Sequence, residues 1–348
     1  MKKNKFTLGI LFSSFSIFLL LFSAKAQMVG PNAYMQGFNV ELGIDGDGGF
    51  EGADITVSPV PAGMHYRSGN PFFGFTANPQ LNAWLTFDGD FFTPGSPENG
   101  WGFEIADTGG VKGGNNCSYL QQIPGSITSW TYAMGQTLCD WEGNATSGTN
   151  LNFKINYQLQ DNDLFYVTTV TVTNNTGSTI PTLYYYRNVD SDNNQSISGD
   201  FTTQNTIISQ PCLPSCPANV SSTSTVPASQ PMSYFGFLTD ADTNWRATYG
   251  GFTNRDASDI WNGMPPFTQM IGSTNFADEA ISIAYKIQNL ASGDSASFKF
   301  CTVFDDDEVD CATAALTVSQ SPLSSVMVTT PAFTLTGGSP AGGTYSGT

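Results

Sequence analysis

Leu151–Gln160 reads LNFKINYQLQ, in which Leu151, Phe153, Ile155, Tyr157 and Leu159 alternate with Asn152, Lys154, Asn156, Gln158 and Gln160. Successive side chains of a strand point to opposite faces, so this strict period of two predicts a strand with one face buried and the other in water. Asp161-Asn162-Asp163 follows. Asx side chains bond their own backbone and tolerate unusual φ, so a turn is expected there. Leu164–Thr173 (LFYVTTVTVT) is β-branched and aromatic and predicts the returning strand. Asn174-Asn175-Thr176-Gly177 turns again, and Ile180–Val189 (IPTLYYYRNV) predicts a third strand, with Pro181 near its start, where a missing N–H is tolerated. Together these segments predict an antiparallel meander.

The same pattern returns downstream. Ala280–Leu290 alternates on Ile281, Ile283, Tyr285 and Ile287; Ser292-Gly293-Asp294 turns; Ala296–Phe304 alternates on Phe298, Phe300, Thr302 and Phe304. Shorter strands are expected at 37–42, 54–57, 82–87, 102–105, 128–134, 206–209, 233–238 and 245–249. The 36 glycines and 19 prolines suit many turns, and only Asp305–Val318 has the pattern of a short helix. The expected class is all-β: a large antiparallel β-sandwich, either supersandwich-like or two packed sandwiches.

The chain opens with MKKNKFTLGILFSSFSIFLLLFSAKA. A lysine-rich start, an apolar run from Phe6 to Phe22 and the A-x-A site Ala24-Lys25-Ala26 predict a signal peptide over 1–26. Export to the extracellular space or outer cell surface follows, with no membrane insertion after cleavage. Residues 27–315 are read as the sandwich, with Pro211–Pro231 as a place where it could divide. Residues 316–330, rich in Ser, Val, Thr and Pro, read as a linker, and 331–348 opens a strand pattern. Removing Lys2, Lys3, Lys5 and Lys25 with the signal peptide leaves eight basic against 29 acidic residues, a net charge of −21. Such a surface is unsuited to nucleic acid, which needs a basic face to displace counterions. It is equally unsuited to an anionic lipid surface.

All six cysteines lie in the exported part, an even count that suits disulfides. Their spacing suggests three local bridges: Cys117–Cys139, Cys212–Cys216 and Cys301–Cys311. The main candidate for chemistry is a cation loop, Asp190-Ser-Asp192-Asn-Asn194-Gln-Ser196-Ile-Ser198-Gly-Asp200. Calcium takes six to eight oxygens, and side-chain oxygens at every second residue supply them. Asp190, Asp192, Asn194, Ser196 and Asp200 are the expected ligands. The alternative is an Asx-rich loop bonding its own backbone. Weaker candidates are Asp45 with Asp47, and Asp305 with Asp307, in acidic loops that also read as turns or solvated charge.

No residue set selects a catalytic mechanism. His65 is the only histidine, and no G-x-S-x-G, Walker loop, dinucleotide fingerprint or H-E-x-x-H is present. His65 therefore reads as a packed or surface residue. Trp101 and Trp261 sit in Gly- and Pro-rich surroundings, where an indole can stack on a sugar, although in β-proteins such residues more often fill the core.

The segment PAFTLTGGSPAGGTYSGT at 331–348 resembles the opening of Ig-like repeats in large secreted surface proteins of Bacteroidetes, which include adhesins and gliding-motility-associated proteins. The resemblance implies that this chain is an N-terminal region ending where such a repeat begins. It also implies export by the type IX system, which reads a C-terminal sorting domain not found in these 348 residues. The rhythm of Leu164–Asp190, strand–TNNTG–strand, is similar to the supersandwich of galactose mutarotase-like proteins. Those proteins use histidines and a glutamate, and a chain with a single histidine does not carry that activity over. The expected function is a non-catalytic extracellular module for adhesion or structure, stiffened by Ca²⁺. The alternative is a carbohydrate-binding or carbohydrate-active domain using loop tryptophans and paired acids. The expected partner is a surface or a glycan.

Overall fold

The computed structural model describes residues 26–307 apart from 68, 86–87, 90, 107–109, 118–119, 146–148, 194, 213–215, 225–232 and 252–255, together with 319–320 and 338–339. Residues 1–25 of the expected signal peptide, Asn194, Cys311 and most of the expected linker and repeat region therefore lie outside the described residues.

In chain order the first strands are β1 (Ala26–Val29), β2 (Asn32–Gln36), β3 (Val40–Ile44), β4 (Ala53–Asp54), β5 (Phe72–Phe73), β6 (Phe75–Ala77), β7 (Asp88–Gly89), β8 (Asn99–Ile105), β9 (Val111–Asn116), β10 (Leu120–Gln121), β11 (Gly125–Ala133) and β12 (Gln136–Ala145). Then come β13 (Leu151–Gln160), β14 (Phe165–Asn174), β15 (Ile180–Val189), α1 (Gln195–Ser198), β16 (Thr203–Ser209), β17 (Asn219–Ser224), β18 (Tyr234–Thr239), β19 (Trp245–Tyr249), α2 (Ala257–Asn262), β20 (Thr274–Ala277), β21 (Ile281–Leu290), β22 (Ser295–Val303), β23 (Ser319–Gln320) and β24 (Gly338–Ser339).

Two large antiparallel sheets form the sandwich. One has nine strands in the order β11-β12-β13-β14-β22-β18-β17-β16-β20, the other six in the order β10-β9-β8-β15-β21-β19. A five-stranded sheet, β1-β2-β3-β6-β7, joins them. The all-β class and the sandwich are as the sequence predicts. β16, β17 and β18 are neighbours in one sheet, so the sheet runs on across Pro211–Pro231.

The core lies between the two large sheets. Leu151, Phe153, Ile155, Tyr157 and Leu159 are all buried, the face that the alternation assigns inward. Aromatic rings bridge the layers: Trp101 on β8 meets Phe153 on β13 at 5.0 Å, and Tyr185 on β15 meets Phe298 on β22 at 5.1 Å. Each buried aromatic of this kind contributes ~2–3 kcal/mol of hydrophobic stabilisation. The five-stranded sheet docks through Phe75, which contacts Phe91, Phe235 and Phe304.

The meander is not what forms. β13 and β14 pair as expected, with Ile155 opposite Val170, but β15 crosses to the other sheet and lies between β8 and β21. The second expected hairpin does the same, since β21 belongs to the six-stranded sheet and β22 to the nine-stranded one. The two connections are corners between layers, and they brace each other. Asn174 N–H donates to Asp294 O at 2.9 Å, Gly293 N–H donates to Asn174 O at 2.7 Å, and the Asn174 side chain donates to Leu290 O at 2.8 Å. β15 is suited to the inner position because its second half is buried on both faces: Tyr184 and Tyr186 pack under Ala257 and Ile260 of α2. Pro181 is skipped in the β15–β21 register, where Ile180 faces Leu290 and Thr182 faces Gln288.

Other local expectations fail for identifiable reasons. Residues 82–85 are not a strand; Leu81, Ala83 and Trp84 take φ of 52°, 57° and 65°, which folds the chain into a tight loop. Residues 305–307 form a bend and turn, and the rest of the expected helix lies outside the described residues. Cys212–Cys216 is a disulfide between cysteines four positions apart in sequence. Cys301 is also disulfide-bonded, and its expected partner, Cys311, lies outside the described residues. The bridge expected between Cys117 and Cys139 is absent. Cys139 is buried in mid-strand opposite Trp130 and Tyr157, whereas the Cys117 thiol donates to Pro97 O at 3.2 Å.

The loop between β3 and β4 plugs the sandwich. Trp141 Nε1 donates to Gly46 O at 3.0 Å, Trp101 Nε1 to Gly48 O at 3.1 Å and Tyr157 Oη to Gly49 O at 3.0 Å. Gly49, with φ of 63°, must be glycine, because a Cβ there would lie 2.3 Å from Trp141 Cδ2. The loop delivers Glu51 into the core, where its carboxylate accepts from the Arg187 guanidinium and the Tyr166 hydroxyl.

Candidate metal centre

Three strand ends meet at one side of the six-stranded sheet. The register pairs Val189, the last residue of β15, with Ile281, the first of β21, and with Asn99, the first of β8. The residues just beyond those ends are Asp190, Asp278 with Glu279, and Glu98. They must therefore converge. Asp190 N–H donates to Glu98 O at 3.0 Å, and Asp192 N–H donates to Phe91 O at 2.5 Å, which draws the segment back over the sandwich edge.

Asp190, Asp192 and Asp278 each present a carboxylate oxygen within 4.8 Å of the other two. Asp190 is 4% exposed and Asp192 3%, while Asp278 is at the surface. They line a cavity of about 180 Å³ together with Gly95, Ser96 and Phe201. Gly95 has φ of 68°, and a Cβ there would come within 2.6 Å of the Phe201 ring, so glycine keeps that wall in place.

The electrostatics of this cavity are unusual. Burial, then the charges of Asp278, Glu98 and Glu279, pushes Asp190 up to about 8. Burial, then Asp190 and Asp278, pushes Asp192 up to about 9. Asp278 is also raised, by burial and then by Asp200. Among the described residues no lysine, arginine or histidine forms an ion pair with any of the three. Asp192 Oδ1 is buried with no hydrogen-bond partner, and so are Ser191 Oγ and Asn193 Oδ1 beside it. A buried charge without a partner is strongly disfavoured.

Only oxygen donors are offered, the preference of a hard cation. Ca²⁺ binds oxygens at ~2.3–2.6 Å, so ligands on opposite sides of the ion lie ~4.6–5.2 Å apart. A spread of 4.8 Å therefore fits such an ion. The exposed side, at Asp278, is open to water for the remaining coordination positions.

Of the expected ligands, the structure brings Asp190 and Asp192 together. Asn194 lies outside the described residues, and Ser196 falls in α1, where its side chain is not described. Asp200 stands outside the group. It is exposed, its Oδ1 accepts from Thr202 N–H at 2.9 Å, and Thr202 holds its carboxyl below the usual range. Asp278 was not foreseen: it lies far along the sequence, and only the strand register reveals it.

The weaker loops are built differently. Asp45 is buried, its Oδ1 accepts from Gly48 N–H at 2.5 Å, and burial pushes it up to about 6. Asp47 is exposed, and the two are not grouped as ligands among the described residues. Asp305, Asp306 and Asp307 do cluster, but Asp306 and Asp307 are exposed, and Asp305 Oδ1 accepts from Asp307 N–H in a turn. Trp101 is a strand residue, 1% exposed, with its rings packed among Trp141, Phe153 and Tyr185, so no face is open to a sugar. Trp261 is half-buried on α2. Its Nε1 donates to Asn244 O at 2.7 Å, and Arg246 and Lys286 each lie 4.6 Å from its ring.

No family model and no curated protein matches the chain. Solved structures that it is similar to include a galactose mutarotase-like protein from Clostridium acetobutylicum, at 11% identity and TM-score 0.37, covering 81% of this chain and 98% of that one. A TPR-domain containing protein from Parabacteroides distasonis is similar at 10% identity and TM-score 0.37, covering 84% of this chain and 50% of that one. A heparan sulfate lyase from Pedobacter heparinus is similar at 8% identity and TM-score 0.31, over 53% of this chain. The chain spans only 22% of that lyase's length. Two galactose mutarotase-like proteins are thus among the solved structures the chain is similar to, and none of these matches supports the Bacteroidetes surface-protein resemblance of 331–348. Among the described residues no helix is long and apolar enough to cross a membrane.

Proposed function

We propose that this protein is a non-catalytic extracellular module for adhesion or structure, and that a divalent cation, Ca²⁺ by its donor set, ties its strand ends together at Asp190, Asp192 and Asp278. One observation carries the reading: Asp192 buries a carboxylate oxygen without a partner beside two further carboxylates. A dication supplies the missing charge and accepts all three carboxylates at once. It would join the ends of β15 and β21 and fix the segment running to α1. The exported, calcium-rich setting expected from residues 1–26 is one in which such a site would be filled.

The test is thermal unfolding of the protein in millimolar Ca²⁺ and in EDTA. A ligand that binds only the native state raises the melting temperature by mass action. The expected result is a rise of several degrees in Ca²⁺, abolished by Asp190→Asn with Asp192→Asn. An unchanged melting temperature, or a rise that survives in that double variant, would remove the cation from this cavity.

A further inference from the structure

A second, larger cavity of about 410 Å³ opens beside the five-stranded sheet and shares no lining residue with the acidic one. Three segments build it: the turn from β2 to β3, the loop around His65, and the loop 78–84. Its size falls within the ~300–1,000 Å³ of pockets that hold small organic ligands.

The cavity is organised around His65. The Glu41 side chain is fully buried, and Glu41 Oε2 accepts from His65 N–H at 2.5 Å. Its Oε1 accepts from Gln36 Nε2 at 2.9 Å and lies 3.1 Å from His65 Nδ1. Burial raises Glu41, and these contacts oppose the rise. With Nδ1 held by Glu41, the Nε2 corner is on the opposite side of the imidazole. Trp84 lies flat on the His65 ring, with centroids 4.3 Å apart and planes 2° from parallel. Trp84 Nε1 donates to Phe38 O at 2.8 Å, so the indole is fixed at both ends.

Two observations indicate a site built for a ligand. Leu81, Ala83 and Trp84 all take left-handed φ, a conformation that non-glycine residues avoid and that concentrates at ligand clamps. The apolar wall is also left open, with Phe38 51% and Leu81 63% exposed.

The lining selects the ligand by elimination. No lysine or arginine lines the cavity, and the chain carries a net charge of −17, so an anion has nothing to bind. The Glu41 side chain is fully buried and both its oxygens are already bonded, so it leaves no free carboxylate face for an ammonium group to reach. Among the described residues the Asn39 side-chain carbonyl and the Asn78 side-chain N–H groups have no partner: Asn39 Nδ2 is taken by Asn162 O, and Asn78 Oδ1 by Asn82 N–H. One free acceptor and one free donor beside an apolar wall suit a group that both donates and accepts and has a C–H face, namely a hydroxylated ring.

We propose that the cleft between Phe38, Asn39, His65, Asn78, Leu81 and Trp84 binds a neutral saccharide residue. Trp84, Phe38 and Leu81 receive its apolar face, while Asn39 and Asn78 read its hydroxyls. His65 is the residue that Glu41 and Trp84 position beside them. The assignment is independent of the cation reading, because the two sites share no residue.

The test uses saturation-transfer NMR on the whole protein with glucose, galactose, mannose, N-acetylglucosamine and cellobiose, each at ~10 mM, which exceeds a millimolar Kd about tenfold. Glucuronate and choline serve as the anionic and cationic probes. At least one neutral sugar is expected to bind, and neither charged probe. Trp84→Ala and Asn39→Ala are each expected to weaken that binding by about tenfold, with Asn39→Ala, which also loses the bond to Asn162 O, still unfolding in one cooperative transition, and EDTA leaving the affinity unchanged. Absence of binding by all five sugars to folded protein, equal binding of a charged probe, retained affinity in both variants, or loss of binding in EDTA would each overturn the assignment.

Discussion

Two buried acidic sites in this molecule face the same physical problem and meet it differently. In the core, Glu51 is fully buried and meets the equally buried Arg187, while the Tyr166 hydroxyl bonds its second oxygen. Arg187 Nη1 in turn donates to Gly100 O at 2.7 Å and Asn188 O at 2.9 Å. That site is closed, because the chain itself supplies the cation and most of the hydrogen bonds. At the sheet edge, Asp190 and Asp192 are almost as buried, but the charged groups acting on them are all further carboxylates. The first arrangement is what a fold needs to lock its own strands and plug loop. The second is incomplete without protons or an outside cation, and such incompleteness is how a binding site differs from a structural ion pair.

The largest expected effect comes from breaking the closed site. Glu51→Ala leaves Arg187 buried and unpaired, which costs ~3–5 kcal/mol. Urea unfolding should show that loss, while Glu51→Leu with Arg187→Met should recover much of it, because no charge is then stranded. If Glu51→Ala unfolds at the wild-type urea midpoint, the pair is not the lock described here.

At the open site the expected effect of Ca²⁺ is next in size. A free concentration ~100 times Kd stabilises the native state by ~2.7 kcal/mol. Adding Ca²⁺ to the Glu51→Ala variant should restore part of its stability without repairing the core, so the two sites should act additively. Strong non-additivity in a double-mutant cycle would show that they are coupled and weaken the contrast.

The pH dependence in EDTA is smaller and has a definite sign. An unfolded aspartate releases its proton near pH ~4, whereas Asp190 and Asp192 hold theirs to about 8 and 9 in the folded state. The native state binds more protons between those limits, so the contribution of these groups to stability is full below pH ~4. It is lost as pH rises towards ~9. Ca²⁺ replaces the protons and should flatten that fall. A melting temperature that instead rises from pH 5 to pH 8 in EDTA, with Asp190→Asn and Asp192→Asn behaving identically, would contradict the electrostatic account. The smallest effect is expected from Asp200→Asn, which should leave the Ca²⁺-induced shift unaltered because Asp200 is occupied with Thr202. Loss of the shift in that variant would return Asp200 to the ligand set.

Strand content was legible because period-two alternation is a local property. Leu151–Gln160 could hardly have been anything else. Which sheet each strand joins was not, since a corner and a hairpin turn share the same Asn, Gly and Asp chemistry; the pairing of β15 with β8 and β21 shows that the chain changes layer, and the bonds between Asn174, Leu290 and Asp294 brace the corner. The same limit applies to the sites. Asp190 and Asp192 are visible as a spaced pair, but Asp278 joins them through the register of Val189 with Ile281. Trp101 takes the core place that such residues more often have in β-proteins, although its flanking glycines also suggest a loop. In fact, a Cβ on Gly100 would lie 2.3 Å from Asn116 Cβ, and one on Gly102 2.5 Å from Tyr186 Cε1, so those glycines allow close packing within the sandwich. His65 looked isolated because its partner Glu41 sits on a different segment.

The central claim, that the open acidic cavity is a cation site, is tested most directly by equilibrium dialysis of EDTA-stripped protein against Ca²⁺. The account predicts one ion per chain at this cavity, lost in Asp192→Asn and in Asp278→Asn but retained when Asp305 and Asp307 are changed to Asn. No bound ion, or an ion that stays in both cavity variants and leaves with Asp305 and Asp307, would contradict it.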